Sequence, residues 1–329
     1  MSTDLTQYRS VFVVKPSSLG DIVHTLPVVH LIKQANLSLK VRWIANPEWL
    51  PLLKGVDCVD ELLEFPRKKL GGLLAPLKYL KWAPNVRLPP HAEPELVLDF
   101  QGLARSAFIS RARRGAKVLG LSDAREGARF MYDEVVPVDK TAHAVDRYLQ
   151  MAAALGINPP SREALHWPLP AGHAPDVNLT ADFILVHPWS RGKGKSLSNE
   201  VLHHLLEQLS PNPVVLVGRT ESAVGPLGAH VTDLTNRTSL TQLIWLMRRA
   251  RWNISVDSGP MHIAAAINDR TLGIHTWSDP RKVGPYNPRS LVWKAGRVAQ
   301  ASSFSPEECT TSAEVTAADV PILIEAMVK

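Results

Sequence analysis

The stretch Lys15 to Pro27, KPSSLGDIVHTLP, follows the short β-branched run Val11 to Val14 and opens a segment with helical apolar spacing, Ile22 to Ala35. It reads as strand, small-residue turn, helix. Such a turn puts small side chains and free backbone N–H groups at a helix N-terminus, where substrate oxygens are held, and its glycine permits close approach. It is neither a Walker loop nor a dinucleotide fingerprint, since GxxxxGK[ST] and GxGxxG are both absent. Asp21 has two readings here, an N-cap aspartate or a carboxylate at the mouth of a cleft, and this turn alone leaves both open.

Outward from that turn, candidate strands at Val41 to Ala45, Leu62 to Phe65, Leu96 to Phe100 and Val118 to Leu121, mostly apolar, alternate with helical stretches. Short, predominantly apolar strands alternating with helices belong in a parallel sheet covered on both faces, which predicts an α/β doubly wound domain. Around Pro159 to Pro175 the chain becomes INPPSREALHWPLPAGHAP, five prolines without periodicity, and this reads as an interdomain linker. The alternation then restarts, with strands at Phe183 to Val186, Val214 to Val217, Ile254 to Val256 and Leu272 to His275. Helices are expected at Asn199 to Leu209, Leu240 to Ala250 and Pro260 to Ile267. Two Rossmann-like domains follow, over residues 1–170 and 171–312, with a last helical stretch, 313–329, expected to cross back to the first domain.

The 329 residues suit two domains, and no run approaches the roughly 18 to 20 apolar residues of a membrane-spanning helix. The N-terminus, MSTDLTQYRS, is polar, so a cytoplasmic protein without a secretory leader is expected. Two distant cysteines, Cys58 and Cys309, exclude a disulfide framework and a zinc ribbon. The net charge of +6 and isoelectric point near 9.3 favour anionic partners. Basic residues concentrate in the first half: Arg67, Lys68, Lys69, Lys78, Lys81 and Arg87 lie between Pro66 and His91 without an acid, and Arg105, Arg111, Arg113, Arg114 and Lys117 form a second cluster. The segment Leu70 to Trp82 mixes leucines, lysines and aromatics and reads either as a membrane-interface element or as a buried loop-helix with snorkelling lysines.

Two further turns fall in the second half. SVDSGPMHIAAA, Ser255 to Ala266, ends a strand at Asp257 and opens a small-residue helix through Ser258, Gly259 and Pro260, an anion cradle or an ordinary capped turn. ILVHPWSRGKGKSLSNE, Ile184 to Glu200, ends a strand at His187 and places Arg191, Lys193 and Lys195 among glycines. Flexible cations there suit a diphosphate leaving group, or simply a solvated loop. Glu221 in VGRTES follows a strand within reach of a ribose diol, though glutamates in loops are usually just solvated.

SSLGDIVHTLP and VDSGPMHIAAA together resemble the lipopolysaccharide heptosyltransferases, glycosyltransferase family 9. DFQGLARS (Asp99 to Ser106), AREG (Ala124 to Gly127), HAVDRYLQ (His143 to Gln150) and SDPRKVGPY (Ser278 to Tyr286) are similar to further blocks of that family in the same order. The resemblance implies a GT-B architecture, two Rossmann-like domains facing across a cleft, and transfer of L-glycero-D-manno-heptose from ADP-heptose to the inner core of lipopolysaccharide, with inversion and without a metal. Asp21 then matches the catalytic aspartate and Lys195 the lysine at the donor phosphates, with Lys193 as its rival because the usual Trp-Pro after the lysine is here Ser196-Leu197. Ser17, Ser18 and Gly20 match the loop at the transferred sugar. Glu221 matches the ribose ligand, and Thr238 the adenine-holding backbone. Asp257, Ser258, Gly259 and His262 match the donor-binding motif, Ser258 standing for a threonine, with His187 alongside. Arg67, Lys68, Lys69, Arg105, Arg111, Arg113 and Arg114 would meet an anionic, lipid-linked acceptor, with peripheral contact at the inner membrane. Another nucleotide-sugar transferase or a nucleotide-sugar epimerase would keep the phosphate turn without needing the Asp21 loop. A nucleic-acid binder would suit the charge, but no zinc, RNP or GXXG module is present.

Overall fold

A computed structural model describes residues 3–70, 75–86 and 93–328. Arg87 and residues 71–74 of the leucine-rich segment lie outside the described residues. The chain divides into two compact units, Met1–Pro170 and Ala171–Lys329.

The first unit runs β1 (Ser10–Val14), α1 (Leu19–Ala35), β2 (Lys40–Ala45), α2 (Leu50–Leu53), β3 (Glu61–Glu64) and α3 (Ala75–Trp82). It continues through β4 (Glu95–Asp99), α4 (Ala104–Ala112), β5 (Lys117–Leu121), β6 (Glu134–Val136) and α5 (Ala144–Ala154). Its sheet has the order β3-β2-β1-β4-β5-β6, parallel throughout, with Val11 opposite both Val41 and Leu96. Every residue of β1 and β4 is buried, as expected for strands covered on both faces. Phe12, Val14, Val97, Ile109 and Val118 form one core cluster. Gly120 is required by packing: a Cβ there would fall 2.1 Å from the Tyr132 ring.

The second unit runs β7 (Ile184–His187), α6 (Asn199–Leu209), β8 (Val214–Leu216), β9 (Val231–Asp233), α7 (Leu240–Arg249), β10 (Trp252–Val256) and α8 (Gly259–Ile267). After these come β11 (Thr271–Ile274), α9 (Pro280–Val283), β12 (Leu291–Lys294), β13 (Arg297–Ala299), α10 (Pro306–Thr310) and α11 (Val320–Val328). Its sheet order is β13-β12-β11-β10-β7-β8-β9, parallel except for the β12–β13 pair. Counted from β7, the first six strands repeat the order of the first unit. Helix α11 buries Val320 and Leu323 in the cluster that holds Leu202, Leu205 and Trp293. The C-terminal segment therefore packs on the second unit, which corrects the expectation that it crosses back: its apolar face is already taken by the α6 side of that sheet. Among the described residues no helix is long and apolar enough to cross a membrane.

In a doubly wound sheet, ligands bind beyond the carboxyl ends of the strands where the winding reverses. Those points are β1/β4 in the first unit and β7/β10 in the second, and the turns singled out in the sequence leave the carboxyl ends of these four strands.

Candidate functional site

At the first switch point, Asp21 occupies the third position of α1 and completes a capping box: Ser18 N–H and Oγ–H donate to its Oδ2 at 3.0 and 2.7 Å. Capping uses Oδ2. The other oxygen, Oδ1, takes the Tyr148 hydroxyl at 3.2 Å and lies 4.0 Å from Lys15 Nζ. Lys15, at the end of β1, also donates to Phe100 O and to the Tyr148 oxygen, each at 2.9 Å. Its side chain is 3% exposed and that of Asp21 38%, so the lysine lies beneath and the carboxylate meets solvent. Burial lowers the Lys15 pKa, while Asp21 and Asp99 oppose that fall. The Tyr148 phenol is driven well above its ordinary value, first by burial and then by the Asp21 charge, so it stays a donor.

The turn after β4 supports this arrangement. Asp99 is buried and accepts from Gln101 N, Gly102 N, Ser106 Oγ and Tyr132 Oη at 2.9, 3.1, 2.8 and 2.9 Å. Gln101, fixed by that turn, receives Ser17 N–H on Oε1 at 3.2 Å. Ser17, Ser18 and Gly20 are thereby held on the same carboxyl edge as Asp21.

At the second switch point the charges are exchanged. Asp257, one residue past β10, accepts Lys195 Nζ and Ser278 Oγ on Oδ2, each at 2.5 Å. Here the carboxylate is the buried member, 6% exposed against 18% for the lysine. Burial would raise the Asp257 pKa, but His275 when protonated, Lys195 and Ser278 outweigh it and hold the carboxyl below the ordinary value. Of the two candidate lysines, Lys195 reaches Asp257, and its ammonium lies 4.5 Å from the centroid of the Trp277 ring. Lys193 is exposed and contributes its backbone carbonyl to Trp277 Nε1 at 3.2 Å. Thr276 Oγ fastens the same glycine-rich loop by donating to Gly194 O at 2.7 Å.

Ser258 occupies the N-cap position of α8 without a side-chain cap bond, Gly259 and Pro260 begin the helix, and the buried His262 lies in its first turn; Ser258 Oγ is buried as an atom and has no hydrogen-bond partner among the described residues. His187, buried at the end of β7, is pushed down to about 4 by burial, and His275 likewise to about 4. Both rings are therefore neutral near pH 7. Glu221 is exposed after β8, and Thr238 lies after β9, beside the Ser239 cap of α7. All these positions share the carboxyl edge of the second sheet.

The basic set separates. Arg67, Lys68 and Lys69 are exposed past the end of β3, and Arg105 is exposed in the first turn of α4. All four lie on the carboxyl edge. Helix α4 then runs back, so Arg111 in its last turn, and Arg113 and Arg114 beyond it, are at the opposite edge, about 12 Å further on at 1.5 Å per residue. Arg111 forms a double hydrogen bond with Asp133, both at 3.0 Å. Arg113 is buried, pairs through two nitrogens with the fully buried Glu95, donates to Val86 O and stacks on Phe12. Arg113 is thereby corrected out of the acceptor set, because it is buried and held by Glu95, while Arg111 and Arg114 stay exposed at the edge opposite Asp21. Lys15, Tyr148, Gln101, His275 and Ser278 are supporting residues that the sequence reading passed over. The blocks DFQGLARS, HAVDRYLQ and SDPRKVGPY contained three of them, but nothing in their spacing shows which side chain turns inward.

The family model described as glycosyltransferase family 9 (heptosyltransferase) matches residues 92–310. Lipopolysaccharide heptosyltransferase 1 of Salmonella typhimurium is 25% identical over 300 residues, covering 86% of this chain and 93% of the relative. The structure of E. coli heptosyltransferase WaaC with ADP is similar at TM-score 0.77 and 22% identity, over 97% of this chain and 99% of that one. The same enzyme with ADP-2-deoxy-2-fluoro heptose gives 0.75 and 22%, over 96% and 99%. At this identity the structural likeness speaks for the fold, which is GT-B. The family match extends from residue 92 in the first unit to 310 in the second, well over half of the length, and by it the chain belongs to glycosyltransferase family 9, the heptosyltransferases.

Proposed function

We propose that this chain transfers L-glycero-D-manno-heptose from ADP-heptose to the Kdo-bearing inner core of lipopolysaccharide, with inversion, without a metal, and on the cytoplasmic side of the membrane. The observation that carries the reading is the pair of opposed aspartate–lysine contacts: one unit presents a carboxylate over a buried ammonium, the other an ammonium over a buried carboxylate. Inverting sugar transfer needs one of each, a base for the acceptor hydroxyl and a cation for the departing diphosphate. The named relatives favour ADP-heptose as donor and the lipopolysaccharide core as acceptor.

In this mechanism Asp21 Oδ1 takes the acceptor proton as the hydroxyl oxygen attacks the anomeric carbon from the face opposite the diphosphate. The sugar passes through an oxocarbenium-like state. Lys195 and the backbone amides at the start of α8 take up the negative charge that grows on the diphosphate. His187, Glu221, Thr238, Asp257 and His262 hold the nucleotide and sugar. Arg67, Lys68, Lys69 and Arg105 meet the acidic groups of the acceptor. The test is incubation of the purified protein with ADP-heptose and Kdo-lipid A, with release of ADP and gain of one heptose read by mass spectrometry. Turnover with a different nucleotide sugar, and none with ADP-heptose, would overturn the donor assignment.

A further inference from the structure

The segment after β5 runs alongside α4 at a constant offset: Ala104 N–H donates to the Glu126 carboxylate and Arg111 binds Asp133, both pairs 22 residues apart. At that offset Phe108 of α4 stands abreast of Phe130. The inner sides of both segments, Ala107, Ile109, Ala128 and Tyr132, fill the core. Phe108 and Phe130 point the other way and are 55% and 80% exposed. Exposed on the same two segments are four further arginines, Arg105, Arg114, Arg125 and Arg129, while Arg111 and Asp133 hold each other and Glu126 accepts Ala104 N–H. The Arg129 guanidinium lies 5.0 Å from the centroid of the Phe130 ring.

Phe108 and Phe130 thus leave apolar surface in water on neighbouring segments that also carry a surplus of exposed arginine. We propose that this face of the first unit docks on an anionic lipid bilayer, the two rings entering the headgroup–acyl boundary while the arginines bind lipid phosphates. Aromatic rings with basic side chains at their rim are the chemistry of interfacial anchoring, in which apolar burial and electrostatic attraction add. The interface would thus be carried by α4 and the segment beside it, a different place from the leucine-rich stretch 70–82. The proposal rests on the lipid-linked acceptor only for its purpose, because vesicle binding requires neither nucleotide nor acceptor.

The test is flotation of the full chain with vesicles of phosphatidylcholine alone and of phosphatidylcholine mixed with phosphatidylglycerol. Binding to the mixed vesicles, weakened by salt and about tenfold lower for Phe108→Ser/Phe130→Ser, is expected. Arg125→Glu/Arg129→Glu should lower it as well, and near-identical circular dichroism and thermal midpoints would show that both variants fold. No flotation, flotation equal on neutral vesicles, or flotation that survives loss of both phenylalanines would overturn the proposal, as would binding to RNA without binding to vesicles. If the vesicle result fails while ADP-heptose turnover persists, only the docking surface is lost; if turnover fails and flotation holds, only the transfer reaction is.

Discussion

The two switch points are built on one strand order yet bury opposite charges. In the first, the ammonium of Lys15 is enclosed by Phe100 O and Tyr148, and the carboxylate of Asp21 is presented. In the second, the carboxylate of Asp257 is enclosed by Ser278 and Lys195, and the ammonium is presented. Each switch point thus buries one member of a lysine–aspartate pair and turns the other outward, a carboxylate in the first unit and an ammonium in the second. The difference lies at the first strand of each unit, because Lys15 follows β1 whereas its counterpart β7 ends in His187; the fourth strands, β4 and β10, both lead into a buried aspartate, Asp99 and Asp257.

Four substitutions would break or sharpen that contrast. The largest effect is expected from Asp21→Asn, which keeps the cap oxygen but removes the base: turnover should fall by roughly 10²- to 10⁴-fold while affinity for ADP-heptose stays within about twofold. Near-normal turnover would remove Asp21 from the chemistry. Lys195→Met should cut kcat by about 10²- to 10³-fold, as loss of one stabiliser of developing charge does. Because Asp257 is then buried without its ammonium, adding Asp257→Asn should recover thermal stability but not turnover. Recovery of turnover as well would mean that Lys195 serves only to balance Asp257.

The third concerns the neutral histidines of the second unit. Their folded pKa values, about 4, lie below the unfolded value of 6.5, so the stability they contribute is complete above pH 6.5 and is lost as pH falls through the folded values. Each accounts for up to about 2 or 3 kcal/mol, and His187→Leu should flatten the denaturant-unfolding profile between pH 6.5 and 4. An unchanged slope would show that His187 titrates normally. The smallest effect is set for the first crevice: Lys15→Met removes the positive charge beside Asp21, so the acid limb of the kcat–pH profile should move to higher pH with the plateau reduced only modestly. A limb that stays put would uncouple Lys15 from Asp21.

Much of the fold was legible because strands buried on both faces are written as uninterrupted apolar runs, as at Val11 to Val14 and Phe183 to Val186. Strands β6, β9 and β13 were not: each is as short as β8, but where β8 is all apolar (VVL) they include a charged residue (EVV, VTD, RVA). Asp21, Lys195 and Asp257 could be named because each sits in a turn of unusual composition. Their partners are remote: Tyr148 is 127 residues from Asp21, and Ser278 is 21 from Asp257. The arginine cluster shows the opposite weakness. Composition reveals the sign of Arg111, Arg113 and Arg114 but not that α4 carries them to the far edge, nor that Glu95 waits there in the core.

Glu95 opens β4 and is fully buried among Ser10 of β1, Arg42 of β2 and Arg113 beyond α4. Strands of valine and leucine can slide past one another by two residues and still bury the same faces. A slipped β4 would strand this carboxylate in hydrocarbon, at a cost of several kcal/mol. The ion cluster thus acts as a tally mark for alignment: misregistered sheets are expelled energetically, and Glu95→Leu/Arg113→Met should fold with comparable stability yet show more than one set of β4 amide resonances.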